Sequence, residues 1–390
     1  RPPPFKTNAG AEVLALPPAA TAASPGTLLT LQGLASLLWH TAGISEVRGG
    51  IHFRTAPSSG ALFASEFYLA ARAVPGLRAG VWRYQPLDHS LVLVRAGAPD
   101  AMLVPADAPA ALIATAVWRR SGHKYGDRCY RYVLADLGHA LENLCQAAAA
   151  LGGGALLLPG FDEAALAQRL RVDEAEEGVL AHVLLHAEPM RLLPPRQSLR
   201  AAAMAPSTLL GVTAAIHAAS SLRGDIAWAT TRAEPPAAAP PDPLPLIAAR
   251  RSRRRYVERP LAASALGRLI DAMVGPPSRL SDAVRLHVIT HAVQGHAPAA
   301  WHWSETARQL VQARAYGADI RSRSRAAALD QDVVGDAAAV FVLGIDRERF
   351  AADAAGAARG YRHAFIEAGL MGERLYLGAQ ALGLGVCAVG

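Results

Sequence analysis

Three stretches of this chain carry residue types that can do chemistry. Gly122-His123-Lys124-Tyr125-Gly126-Asp127-Arg128 sets a lysine beside a tyrosine. An amine and a phenol so placed can serve as general base and acid where burial lowers the lysine pKa; on an exposed connection the same lysine is only solvated. Arg250-Arg251-Ser252-Arg253-Arg254-Arg255-Tyr256 holds five arginines in its first six residues. Its alternating members Arg250, Ser252 and Arg254 could converge on a phosphate, two guanidiniums and a hydroxyl supplying charge-assisted hydrogen bonds. As a charge run alone, the stretch is a solvated basic face. The third stretch is Arg54-Thr55-Ala56-Pro57-Ser58-Ser59-Gly60-Ala61-Leu62-Phe63. Proline fixes a turn, Ser58 and Ser59 offer hydroxyls and amides, and Gly60 allows close backbone approach to a flat ligand; an ordinary capped helix start has the same composition. Asp136 and His139, one turn apart, could face one cavity, or His139 could be a core histidine.

The elements that must position these residues read as a mixed α/β unit. Residues 1–26 are rich in proline and alanine and predict an extended arm. Apolar periodicity predicts a helix over Leu31–Thr41, a strand over Glu66–Val74, and a hairpin of Val81–Pro86 and Ser90–Val94. Ala111–Trp118 reads as a buried strand, with Lys124 in a polar loop after it. A long helix from Tyr130 ends at Gly152 and leads to a strand at Ala155–Leu158, a helix at Asp162–Leu170 and a strand at Val179–His186. Gln197–Arg232 reads as helical, and Ala233–Pro245 is too proline-dense for a helix or a central strand.

The unit then recurs. A helix at Ser264–Val274 with a serine cap is followed by strands at Val284–Thr290 and Ala337–Gly344, a second long helix, and a strand over Val386–Val389. Residues 130–158 lie without a gap on 361–389 at an offset of 231, with ten of 29 positions identical. Tyr-Arg starts, Gly ends and small residues along one side recur in both long helices, so duplication followed by face-to-face helix packing is expected. The predicted organisation is an arm (1–26), a first copy (27–195), a connecting helix and Pro-rich linker (196–245), and a second copy (246–390). The second copy stops at Gly390, where the first still has a helix and strand to come, so it reads as incomplete at its C-terminal end.

Composition removes several functions. With 390 residues, 52% apolar and 18% charged, the chain can bury a large core and is not disordered. No run reaches the roughly 18 apolar residues of a membrane helix, and no apolar stretch follows Arg1 to make a secretory signal. Cys129, Cys145 and Cys387 lack metal spacing and cannot frame disulfides, which suits a reducing, cytoplasmic setting; no metal site is expected. The net charge of +7 allows an anionic ligand. Without an aromatic-interleaved basic platform it does not argue for nucleic acid. G-x-G-x-x-G, G-x-S-x-G and Walker sequences are absent, which disfavours dinucleotide, hydrolase and P-loop chemistry.

Taken together, these motifs resemble the FMN-dependent nitroreductase superfamily, in particular the SagB-type dehydrogenases of azole-forming peptide maturation. Arg250–Tyr256 resembles the R-x-S-x-R-x-[FY] opening that holds the FMN phosphate. Arg54…Phe63 with Glu66-Phe67-Tyr68 resembles the R-x-x-P-S-x-G-A-L-Y…E-x-Y stretch. Lys124-Tyr125-Gly126-x-Arg128-x-Tyr130-Arg131-Tyr132 with Asp136-x-Gly138-His139 resembles K-Y-G-x-R-x-Y-R-Y…D-x-G-H, whose Lys-Tyr pair is the catalytic signature. The resemblance implies an α+β fold of tandem nitroreductase-like α/β sandwiches, forming an intrachain pseudo-dimer around long central helices.

The departures from the pattern matter. The first copy has no R-x-S-x-R before its first helix; the second has Pro276-Pro277-Ser278-Arg279-Leu280 as its loop and no Lys-Tyr-Gly. A single complete FMN site is therefore expected. Arg250, Arg251, Ser252 and Arg254 would come from copy two, and Pro57, Ser58, Ser59, Gly60, Lys124 and Tyr125 from copy one. Val389 and Gly390 would lie beside the flavin ring, and the opposite site would be empty. The implied activity is oxidation of a thiazoline or oxazoline in a ribosomal peptide, with Lys124 and Tyr125 in proton transfer. The implied partners are the modified peptide and a cyclodehydratase complex; further oligomerisation is left open. The alternatives are an NAD(P)H-dependent nitro or enone reductase of the same fold, and a non-catalytic flavoprotein scaffold.

Overall fold

The computed structural model of the chain describes residues 2–7, 10–193, 211–224, 226, 228–233, 242–317 and 319–390. Most of the Ala233–Pro245 stretch, and residues 197–210, 225 and 227 of the Gln197–Arg232 stretch, lie outside the described residues.

The arm is extended, and its strand β1 (Val13–Ala15) joins a sheet edge. Helix α1 (Leu31–Ala42) is capped by Thr30, whose side chain accepts the Gly33 N–H. A hairpin of β2 (Ile44–Arg48) and β3 (Ile51–Arg54) follows. Strands β4 (Ser65–Ala71), β5 (Gly80–Gln85), β6 (Ser90–Ala96) and β7 (Ala110–Val117) come next. Helices α2 (Trp118–Tyr125) and α3 (Cys129–Ala150), strand β8 (Gly154–Leu157), helix α4 (Glu163–Leu170) and strand β9 (Glu177–His186) complete the first unit. Its seven strands run β1-β6-β5-β4-β7-β9-β8, every pair antiparallel. β5 and β9 are buried along their whole length, with α1 and α3 on one face and α4 on the other.

The connecting region holds β10 (Met190–Leu192), α5 (Val212–Ser220), β11 (Thr230–Arg232) and α6 (Pro243–Ala249). Two expectations are corrected here. Thr230–Arg232 is not helical but pairs with β10, where β-branched Thr230 and Thr231 are better suited to a strand. The end of the Pro-rich stretch is helical: Asp242 caps α6, and Pro243 and Pro245 fall in a first turn whose N–H groups need no helical partner.

The second unit consists of α7 (Ala263–Val274), β12 (Val284–Thr290), β13 (Ala299–Ser304), β14 (Gln309–Ala315), α8 (Ile320–Ala327), α9 (Asp332–Asp336), β15 (Ala339–Ile345), α10 (Arg347–Ala351) and α11 (Ala357–Ala381). Its sheet order, β14-β13-β12-β15, repeats β6-β5-β4-β7 of the first unit. The cap of α7 is Ala262, without a side-chain bond, so Ser264 is no cap. Val386–Val389 forms no strand either: its single bridge joins Val386 to Ser252, too little for a ladder. The units meet where α3 crosses α11. A Cβ on Gly138 would lie 2.1 Å from the Ile366 carbonyl oxygen, and one on Gly369 would lie 2.1 Å from that of Ala135. Gly369 is Gly138 displaced by the repeat offset, so the contact is reciprocal, as a pseudo-twofold requires.

Among the described residues no helix is long and apolar enough to cross a membrane.

Candidate functional site

The site starts with the loop after β3. Ser58 is extended, and Gly60, Ala61 and Phe63 all have positive φ, at 64°, 52° and 47°. Two non-glycine residues in that region are strained, so something must hold them. Asp136 of α3 does: it accepts the Ser58 hydroxyl at 2.7 Å, the Ser59 amide at 2.9 Å and the Ser59 hydroxyl at 2.9 Å. Ser58 Oγ in turn accepts the Phe63 N–H at 3.0 Å. The two serines thus shape the loop, and their hydroxyls are spent on Asp136. Desolvation outweighs these bonds and pushes the Asp136 carboxyl up to about 6.

Lys124 and Tyr125 close over this loop. The expected polar loop is instead the last turn of α2 followed by a 3-10 turn over Gly126–Arg128, because Trp118, Arg120 and Ser121 bury one face of a short helix. Lys124 is exposed. A Cβ on Gly60 would lie 2.7 Å from the Tyr125 hydroxyl oxygen and 3.0 Å from Lys124 Nζ, so both polar tips converge on the one residue that has no side chain. Lys124 Nζ also stands 5.3 Å from the Tyr125 ring centroid. Tyr125 packs edge-on against Tyr132 at 4.8 Å, and Tyr132 abuts Gly390, where a Cβ would come within 2.9 Å of its ring. The amides of Val389 and Gly390 make no hydrogen bond within the described residues.

The arginine stretch reaches the same place from the second unit. Buried Arg250 donates from Nε to the Thr55 carbonyl at 2.6 Å and from Nη2 to that of Arg54 at 3.3 Å, directly behind the loop. Its Nη1 is buried without a partner. Glu373 of α11 stands 3.7 Å from Arg250 Nε and accepts His139 Nδ1–H at 2.8 Å. His139 is therefore a paired core histidine and does not share a cavity with Asp136. Arg254 is exposed and has no ion-pair partner among the described residues. Arg251 departs from the expected set: its guanidinium is consumed by Glu46 at 2.8 Å and by the carbonyls of Ser45, Ala248 and Arg250, and holds the β2–β3 hairpin. Sequence reasoning missed Glu373 as the neighbour of Arg250 and Tyr376 as the neighbour of Ser252. The identity of Glu142 and Glu373 across the repeat was the available signal for the first; nothing marked the second.

The pseudo-symmetric place differs in chemistry. Glu367, the repeat partner of Asp136, accepts the amides of Arg279 and Leu280 at 2.9 Å each. Glu142, the partner of Glu373, takes Arg279 Nε at 3.4 Å and Arg374 Nε at 3.2 Å. Burial alone would raise the Glu142 carboxyl, but these two arginines hold it below its ordinary value. Arg279 thus occupies, against Glu142, the position that Arg250 holds against Glu373. Among the described residues no cluster of three or more His, Cys, Asp or Glu is placed to hold a metal.

The model of the Nitroreductase family matches residues 26–185 and 247–390. The chain is 34% identical over 154 residues to "Putative nitroreductase MJ1384" of Methanocaldococcus jannaschii, covering 37% of this chain and 76% of that protein. It is similar to a solved structure from Anabaena variabilis that carries the same designation, with a TM-score of 0.81, 25% identity, and coverage of 98% of this chain and 87% of that one. A Ralstonia eutropha structure, also so designated, matches 47% of this chain and 93% of its own at 26% identity and a TM-score of 0.39.

Proposed function

This chain belongs to the nitroreductase family, and from that premise we propose that it is an FMN-dependent dehydrogenase. Its substrate would be a thiazoline or oxazoline ring in a ribosomally made peptide, which it oxidises to the azole. The observation that carries the reading is the seam itself. Arg250 of the second unit is bonded to the carbonyls behind a first-unit loop, and Lys124 and Tyr125 close on that loop at Gly60.

The residues present suit a flavin mononucleotide. The orphaned, buried Arg250 Nη1, the Ser252 hydroxyl and exposed Arg254 are donors for a phosphate. Gly60 leaves its position in the loop free of a side chain, and the Val389 and Gly390 amides, next to Tyr132, are unspent donors among the described residues. Pro57 fixes the loop, and Ser58 and Ser59 hold it through Asp136. When bound, FMN supplies the acceptor for the hydride that such an oxidation releases. The chain supplies the rest: Lys124 Nζ, as the neutral amine, would take the proton lost from the ring carbon, Tyr125 O–H would polarise the ring heteroatom, and the Tyr125 ring is braced between Lys124 Nζ and Tyr132.

A second reading is an NAD(P)H-dependent nitro or enone reductase, favoured by the designation of the similar proteins as nitroreductases. The purified protein separates the possibilities. The proposal expects a flavin spectrum at one FMN per chain and a loss of two mass units from an azoline peptide, with a cyclodehydratase complex present where needed. Lys124→Ala should abolish that conversion and leave FMN bound. NADH consumption with a nitroaromatic and no change in the azoline peptide would establish the reductase instead. Absence of flavin would leave a scaffold.

A further inference from the structure

Helix α11 presents Glu373 and Tyr376 one turn apart, hence on one face. They meet alternate residues of the extended arginine stretch, Glu373 at Arg250 and Tyr376 at Ser252. The Tyr376 hydroxyl lies 2.9 Å from Ser252 Oγ and accepts the Ala388 N–H at 2.7 Å. The Arg250 guanidinium sits 5.0 Å above its ring, and the ring of His139 meets it edge-on at 5.7 Å. Tyr376 is thus gripped on its ring and spent at its oxygen.

A phenol has one proton to give. The Tyr376 oxygen is buried and has already accepted Ala388 N–H, and the Ser252 oxygen is the acceptor within its reach. The phenol proton therefore goes to Ser252, and the proton of Ser252 itself is left without a protein acceptor. Burial raises the Tyr376 pKa, so the phenol remains protonated across the ordinary pH range.

We propose that Tyr376 is a positioning residue: by donating to Ser252 Oγ it turns the serine proton outward toward a phosphate monoester. This rests on the flavin reading above and adds to it the means by which the phosphate, rather than the ring, is selected. It further predicts that Tyr376 and Ser252 act as one unit.

The test compares FMN with riboflavin, which has the same ring and no phosphate, by quenching of flavin fluorescence on the full chain. Wild type should bind FMN more tightly than riboflavin. Tyr376→Phe should weaken FMN by about tenfold or more, the worth of one charge-assisted hydrogen bond, and leave riboflavin little changed. Ser252→Ala should lower the FMN-to-riboflavin preference equally, and the double variant should lower it no further. A Tyr376→Phe protein that keeps the wild-type preference, or weakens both flavins alike, overturns the positioning role. Independent, additive losses in the double variant overturn the shared unit. Wild type that binds neither flavin would instead remove the flavin reading on which the inference stands.

Discussion

The Arg250 guanidinium crosses from one half of the chain to the other and donates to the carbonyl oxygen of Thr55 at 2.6 Å. This bond joins the arginine stretch of the second unit to the loop after β3, and it is made by backbone on one side, so no substitution at Thr55 can remove it. Arg250→Ala would lose it, lose the bond to Arg54, and leave Glu373 with His139 as its remaining partner. The expected cost is about 3–5 kcal/mol, as for a broken buried ion pair. Arg250→Lys should not restore flavin retention, because an ammonium cannot fork across two carbonyls. Urea denaturation and flavin content after gel filtration read the two effects.

Gly60 carries a different prediction. Alanine there accepts a left-handed conformation at about 1–2 kcal/mol, and its methyl group would displace the tips of Tyr125 and Lys124. Both tips end flexible side chains, so the fold survives. Turnover should fall by about a hundredfold, the usual effect of ångström-scale misplacement, with FMN still bound. Wild-type turnover by Gly60→Ala would show that the two tips do not need this space.

Asp136 should report on pH. Its carboxyl is raised by desolvation from 3.8 to about 6, so the folded protein binds a proton more tightly than the unfolded one. Relative to Asp136→Asn, wild type should therefore lose stability as pH rises from about 4 to about 6, with no further change above that. Melting temperatures of both proteins at pH 4, 5, 6 and 7 give the difference directly; a difference that is flat through this window would contradict the assignment.

Glu163 holds the connecting segment to α11. Its carboxylate is shared by the fully buried guanidiniums of Arg359 and Arg362, and its second oxygen accepts the Leu222 amide at 2.7 Å. His217, beside them, is kept neutral by burial and by both arginines. Glu163→Gln leaves two buried cations without a counter-charge and should cost about 3–5 kcal/mol in a denaturation midpoint shift.

Much of this could be read from residue order. Helices and strands follow from apolar spacing that a few neighbouring residues define, which is why α1, β7, β12 and α3 lie within a residue or two of expectation, while α11 starts four residues ahead of the expected Tyr361. The exceptions have local causes too: prolines in the first turn of α6 need no N–H partner, and a helix with one buried face takes the place of the polar loop expected around Lys124. The gathering of Arg250, Gly60 and Lys124 around one seam followed from motif resemblance, not from spacing.

Side-chain direction was another matter. Arg250 and Arg251 are indistinguishable as letters, yet one turns behind the loop and the other to Glu46. Ser58 and Ser59 read as ligand donors, and Asp136, 77 residues from Ser59, claims them. The opposite site read as vacant, and Arg279 turns to Glu142 there. The bonds of Arg250, Arg251 and Arg279 join the two units, which meet at the crossing of α3 and α11 at Gly138 and Gly369, residues 231 positions apart, whereas the Asp136 bonds need only α3 packed on the loop of its own unit. Periodicity is encoded within a few residues; the choice of hydrogen-bond partner exists only after distant segments have packed, because desolvation then favours pairing a buried polar group with whatever counterpart the packing brings near.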